Sequence, residues 1–76
     1  MILDLVVEKG IDGFNAVVPS LEGCESWAHD EDTVLEKITE MVAYYLGVKN
    51  LKKIKLDLAR KEEDSKIYKI IISDRH

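Results

Sequence analysis

An α+β fold, an antiparallel sheet in the order β-β-β-α-β-β with one helix packed on one face, follows from three features of this sequence. Apolar residues recur with period two near both ends of the chain, a single stripe of helical period lies between them, and turn-forming residues stand at the junctions.

The first strand is read over residues 2–9, ILDLVVEK, where Leu3, Leu5 and Val7 alternate with Ile2, Asp4, Val6 and Glu8. Gly10 to Gly13 forms a turn, and Asp12-Gly13 is its signal because glycine accepts the positive φ that hairpin turns require. Phe14 to Val18 is the second strand, with Phe14, Ala16 and Val18 on one face. Pro19 ends it, since proline has no N–H to give to a ladder. After the loop Ser20 to Gly23, Cys24 to Ala28 is a short third strand.

The helix starts at a cap supplied by Asp30 or Asp32, with Asp30, Glu31 and Asp32 at the positive end of its dipole. Val34, Leu35, Ile38, Met41, Val42 and Tyr45 form its apolar stripe, and Gly47 is the stop. Asp32, Glu36, Lys37 and Glu40 take the outer face. A fourth strand follows at Ile54, Leu56 and Leu58, then the polar turn Glu62 to Ser65, then a β-prone fifth strand from Ile67 to Ser73. Asp74 to His76 reads as a frayed tail.

The bulk properties narrow the functional classes. Seventy-six residues are expected to make one domain, 1–76, with 46% hydrophobic and 34% charged residues, a globular balance. No apolar run reaches membrane-spanning length and no secretory leader pattern is present. One cysteine rules out an internal disulfide and fits a reducing compartment, so a cytoplasmic location is expected. The net charge of −4 repels phosphate backbones and attracts basic proteins. Nucleic acid is therefore not expected as the main partner.

One helix covers one face of a sheet. Ile2, Val6 and Val17 fall opposite the first strand's Leu3, Leu5 and Val7, and Tyr68, Ile70 and Ile72 oppose Ile67 and Ile71. The sheet is thus apolar on both sides in places. Ile2, Val6, Val17, Tyr68, Ile70 and Ile72 are the expected surface for self-association as a homodimer or larger assembly.

The chain's only proline, cysteine and tryptophan sit within nine residues, in FNAVVPSLEGCESW. Pro19 stops a strand, Gly23 lets the chain turn back, Cys24 is small enough to lie under the helix, and Trp27 is placed to roof the core edge. Asp12, Gly13, Phe14, Ala16, Val18, Pro19, Leu21, Gly23, Cys24 and Ser26, followed by Val34, Leu35 and Ile38, resemble the HicB-like antitoxin family. That family joins an Asp-Gly hairpin to a Val-Pro-x-Leu-x-Gly-Cys corner and an apolar helix. The resemblance implies a trimmed ribonuclease-H-like sheet, here as a lone domain without the C-terminal DNA-binding domain many members carry. It also implies a non-enzymatic antitoxin that covers the RNA-binding face and catalytic histidine of a small basic HicA-type ribonuclease toxin. Glu31, Asp32, Glu36 and Glu40 are the acidic candidates for that contact.

Catalytic constellations are weak. Cys24 and His29 lack an orienting third group, and Glu25, Asp30 and Glu31 make their neighbourhood acidic, the wrong setting for a thiolate. One cysteine and two scattered histidines do not make a zinc site. Asp4 and Asp57, the carboxylates well inside strands, fall short of the convergent set a two-metal nuclease uses. No enzyme activity, metal or cofactor is expected. Lys49, Lys52, Lys53, Lys55, Arg60 and Lys61 read first as guards on a strand edge and second as a weak nucleic-acid patch over residues 49–61. The remaining alternative is a dimeric scaffold domain with another protein partner.

Overall fold

The computed structural model describes residues 1–73. It contains β1 (Ile2–Lys9), β2 (Phe14–Val17), β3 (Glu25–Ala28), α1 (Glu31–Leu46), a 3-10 turn (Leu51–Lys53), β4 (Ile54–Lys61) and β5 (Ser65–Ile72). The expected α+β order is thus present, with the 3-10 turn added. The strands form one antiparallel sheet in the spatial order β3-β2-β1-β5-β4. β1 is central, paired with β2 through the hairpin and with β5 along its length. α1 carries the chain from one edge strand to the other. The expected tail, Asp74 to His76, lies outside the described residues.

The helix is fixed at both ends by its own sequence. Asp30 is the N-cap, its carboxylate accepting from the Thr33 N–H at 2.8 Å and from the Thr33 hydroxyl at 2.9 Å. Of the two aspartates offered by the sequence, Asp30 is therefore the cap. Gly47 closes the other end in the left-handed conformation at φ 70°. Val34, Ile38, Val42 and Ala43 are buried against the sheet. They meet Leu5, Val7, Ala16, Val18, Cys24, Ala28, Ile54, Ile70 and Ile72 in a single core. Burying each large aliphatic side chain contributes about 1.5–3 kcal/mol.

Register decides which residues face this core. Leu5 pairs with Tyr68 and Leu3 with Ile70, whereas Val6 pairs with Ile67 and with Val17, and Ile2 with Ile71. Ile70 and Ile72 are therefore on the helix side, and both are buried. Tyr68 points the same way and packs on the core edge. This corrects the expected self-association surface: Tyr68, Ile70 and Ile72 belong to the helix face, and the fifth strand's apolar residues on the other face are Ile67 and Ile71. Alternation along the strand could not fix this parity, because both alternating sets are apolar. Ile2, Val6 and Val17 do lie on the uncovered face. Only Ile2 is strongly exposed, at 64%. Val6, Val17, Ile67 and Ile71 are half-buried, with Val6 between Val17 and Ile67 across the strands and Ile71 beside Ile2.

Gly13 holds its place for a reason other than the expected one. Positive φ occurs at Gly23 and Gly47, not at Gly13. A Cβ at Gly13 would overlap the Ala28 carbonyl oxygen and come within 2.7 Å of the Trp27 ring. The hairpin thus presses its backbone against β3, and only hydrogen fits between.

Candidate functional site

α1 is one helix over a five-stranded sheet. A helix with its side chains is about 10 Å wide and strands lie about 4.8 Å apart, so the outer strand β4 escapes most of its cover beyond the buried Ile54. On the helix face of β4, Leu56 is half-buried and Leu58 is exposed, as is Leu51 of the 3-10 turn. A shallow groove of about 440 Å³ runs here, lined by Leu35, Thr39, Leu51 and Leu56, with Asp32, Glu36 and Glu40 along one side. The three carboxylates stand four residues apart, so they share one line along the helix. Asp32, Glu36 and Glu40 are all exposed. The arrangement can seat an apolar side chain on the leucines while its basic neighbours meet the carboxylates. Leu51 was not legible as part of the groove. Its signal is Asn50, whose side chain caps the 3-10 turn by accepting from the Lys52 N–H at 3.0 Å.

Glu31, expected in the same acidic set, does a different job. Its carboxylate accepts from Lys66 Nζ at 2.9 Å on both oxygens and from the Tyr68 hydroxyl at 2.7 Å. These bonds hold the Glu31 carboxyl below the usual glutamate range, with Lys66 the largest cause and Tyr68 the next. Burial, then the hydrogen bond to Glu31, pushes the Tyr68 phenol up to about 12. Glu31 thus ties the helix start to β5, and the acidic surface open to a partner is Asp32, Glu36 and Glu40. Lys66 and Tyr68 were invisible as its partners because β5's register was not fixed by pattern.

The Pro19 to Cys24 corner is built by short-range hydrogen bonds. The Val18 N–H donates to the Cys24 carbonyl at 3.0 Å, the Leu21 N–H to the Val18 carbonyl at 3.0 Å, and the Cys24 N–H to the Leu21 carbonyl at 3.0 Å. Gly23 takes φ 80° within it, and a Cβ there would also lie 3.1 Å from the Tyr45 hydroxyl. Cys24 is buried under the helix, and burial pushes its thiol up, away from the reactive thiolate. Trp27 does not roof the core. It pairs with Asn15 on the uncovered face, and its ring meets His29 edge-on at 4.7 Å. His29 Nδ1 lies 3.3 Å from the Asp12 carbonyl oxygen. Asp12, Gly13, Pro19, Gly23 and Cys24 therefore shape the fold at the β2–β3 end of the sheet.

Asp4 and Asp57 both lie on the uncovered face, on either side of Lys69: Asp4 pairs with it across β1 and β5, Asp57 across β4 and β5. Lys69 Nζ donates to Asp4. A lysine between two carboxylates is a charge ladder, not a cation cradle. Among the described residues, no group of three or more His, Cys, Asp or Glu is arranged to hold a metal ion. The basic residues of 49–61 are dispersed. Lys55 and Arg60 face the uncovered side, Lys61 the helix side, and Arg60 Nε pairs with Glu62 at 3.3 Å. No helix of the described residues is long and apolar enough to cross a membrane.

Two relatives match the chain. A UPF0150 protein of Archaeoglobus fulgidus is 44% identical over 46 residues, which cover 59% of this chain and 67% of the relative. A UPF0150 protein of Helicobacter pylori is 38% identical over 47 residues, covering 62% of this chain and 65% of the relative. The matched stretch thus spans about two thirds of either relative's length. No protein-family model matches the chain. No solved structure matches it.

Proposed function

The chain belongs to the UPF0150 family, and from that premise we propose that it is a non-enzymatic protein-binding module, a HicB-like antitoxin that occludes a small basic HicA-type ribonuclease toxin. One observation carries this reading: Asp32, Glu36 and Glu40 line a groove floored by Leu35, Leu51 and Leu56. An acidic rim beside an apolar floor complements a basic surface with an apolar anchor. The net charge of −4 steers such a partner toward it. Inhibition then needs no chemistry, because covering the toxin's RNA-binding face and catalytic histidine is enough. Co-expression with the product of the adjacent reading frame tests the reading. A small basic protein that co-purifies and regains RNA cleavage when separated supports it. An adjacent frame whose product neither binds nor cleaves RNA removes the antitoxin.

A dimeric scaffold is the second reading, favoured by the uncovered face with Ile2, Val6, Val17, Ile67 and Ile71. It shares the fold and dispenses with the toxin. Sedimentation of an Ile2→Lys/Val17→Lys variant tests it, since charge placed on that face should return a dimer to monomers.

A further inference from the structure

We infer that two copies of the chain join through the free edges of their β4 strands, antiparallel across a two-fold axis, to make one continuous ten-stranded sheet. The inference assumes the self-association named above and moves it from the face of the sheet to its edge; it does not depend on the toxin.

β4 ends the sheet, and at eight residues it is twice as long as β3, the strand at the other edge. An edge strand offers a row of backbone donors and acceptors to any strand that approaches. What such an edge accepts is decided by the side chains beside it. The pairings with β5 place Lys55, Asp57 and Arg60 on the uncovered face of the sheet. The Arg60–Glu62 ion pair puts Glu62 on that face as well. The outward sequence along the edge is therefore Lys, Asp, Arg, Glu, with the bulge between Leu58 and Arg60 at its centre.

That order is self-complementary in one direction. When the two-fold axis passes through the bulge, Asp57 of each copy faces Arg60 of the other, and Lys55 faces Glu62. Every outward pair is then opposite in charge. A slip to one side sets Asp57 against Asp57 and Lys55 against Arg60. A slip to the other sets Arg60 against Arg60 and Asp57 against Glu62. Both slips oppose like charges, which are destabilising directly across a sheet. The bulge breaks the ladder locally, but both copies carry it at the axis, so the charge pairs on either side of it keep their match. On the helix side the same register brings the two Leu58 side chains together, and Leu58 is 49% exposed in the single chain. The charges that keep foreign strands off this edge thus admit one partner, a second copy in one register.

Sedimentation velocity on four samples at micromolar concentration tests the inference: the natural chain, Asp57→Arg, Arg60→Asp, and an equimolar mixture of the two variants. The natural chain should sediment at about twice its 8.7 kDa mass. Each variant alone opposes like charges at both ends of the axis and should fall to the single mass. In the mixture, the two basic side chains of one variant meet the two acidic side chains of the other. The doubled mass should therefore return, as it should in the Asp57→Arg/Arg60→Asp double variant, where every pair is opposite again. Circular dichroism confirms folding, and a variant that fails to fold is replaced by Asp57→Lys or Arg60→Glu. A natural chain that sediments singly overturns the inference. So do variants that keep the doubled mass, a mixture that fails to regain it, or a dimer that only Ile2→Lys/Val17→Lys disrupts.

Discussion

The Tyr68 hydroxyl donates a 2.7 Å hydrogen bond to Glu31 Oε2, joining residues 37 apart in sequence. Lys66 completes the cluster with 2.9 Å contacts to both Glu31 oxygens. The bond fastens the first turn of α1 to the strand beside the sheet's centre. It therefore sets the direction in which the helix crosses the sheet, and with it the side on which the leucine groove opens.

Removing that phenol should loosen the helix start without emptying the core. Tyr68→Phe is expected to lower stability by about 1.5 kcal/mol, the lower end for a hydrogen bond to a charged group. Urea unfolding measures it, and the midpoint should fall with the slope unchanged.

The same cluster predicts loss of stability at both ends of the pH range. Glu31 has a lowered pKa in the fold, so its contribution is present above the ordinary glutamate value and is lost as pH falls through the folded one. Tyr68 is raised from 10 to about 12, so its contribution is present below pH 10 and is lost as pH climbs toward 12. Thermal melts across pH should show Tyr68→Phe removing the alkaline step and Glu31→Gln the acid one.

The two faces of β5 should respond differently to truncation. Ile70 is fully buried under the helix, so Ile70→Ala should cost about 2–5 kcal/mol. Ile67 is half-buried on the uncovered face, and Ile67→Ala should cost distinctly less. Chemical denaturation of both variants measures the parity that register assigns.

Gly13 should tolerate less than its backbone angle implies. Its φ is not positive, yet Gly13→Ala drives a methyl group into the Ala28 carbonyl and the Trp27 ring. The backbone of β3 must shift to admit it, and overpacking of this kind costs about 1–3 kcal/mol. The midpoint of thermal unfolding and the fluorescence of Trp27 should both change.

Periodicity and punctuation made the element order legible. Asp30 and Gly47 bracket the helix, Pro19 and Gly23 mark the corner, and period-two runs mark the strands. Parity in the fifth strand was not legible, because Ile67, Ile70, Ile71 and Ile72 leave both faces apolar. Only pairing with Leu3 and Val6 separates them. The site was half legible. Asp32, Glu36 and Glu40 follow from helical spacing, while the groove beside them depends on how far one helix reaches across five strands. Glu31 stands next to that line but is claimed by Lys66 and Tyr68, which are distant in sequence.

The central claim is that the acidic rim of α1 receives a basic protein. Calorimetric titration with the product of the adjacent reading frame, against the natural chain and a folded Glu36→Lys/Glu40→Lys variant, tests it most directly. The account predicts binding to the natural chain that weakens at least about tenfold in the variant and with rising salt. Equal affinity for both chains, or no binding to either, would contradict it.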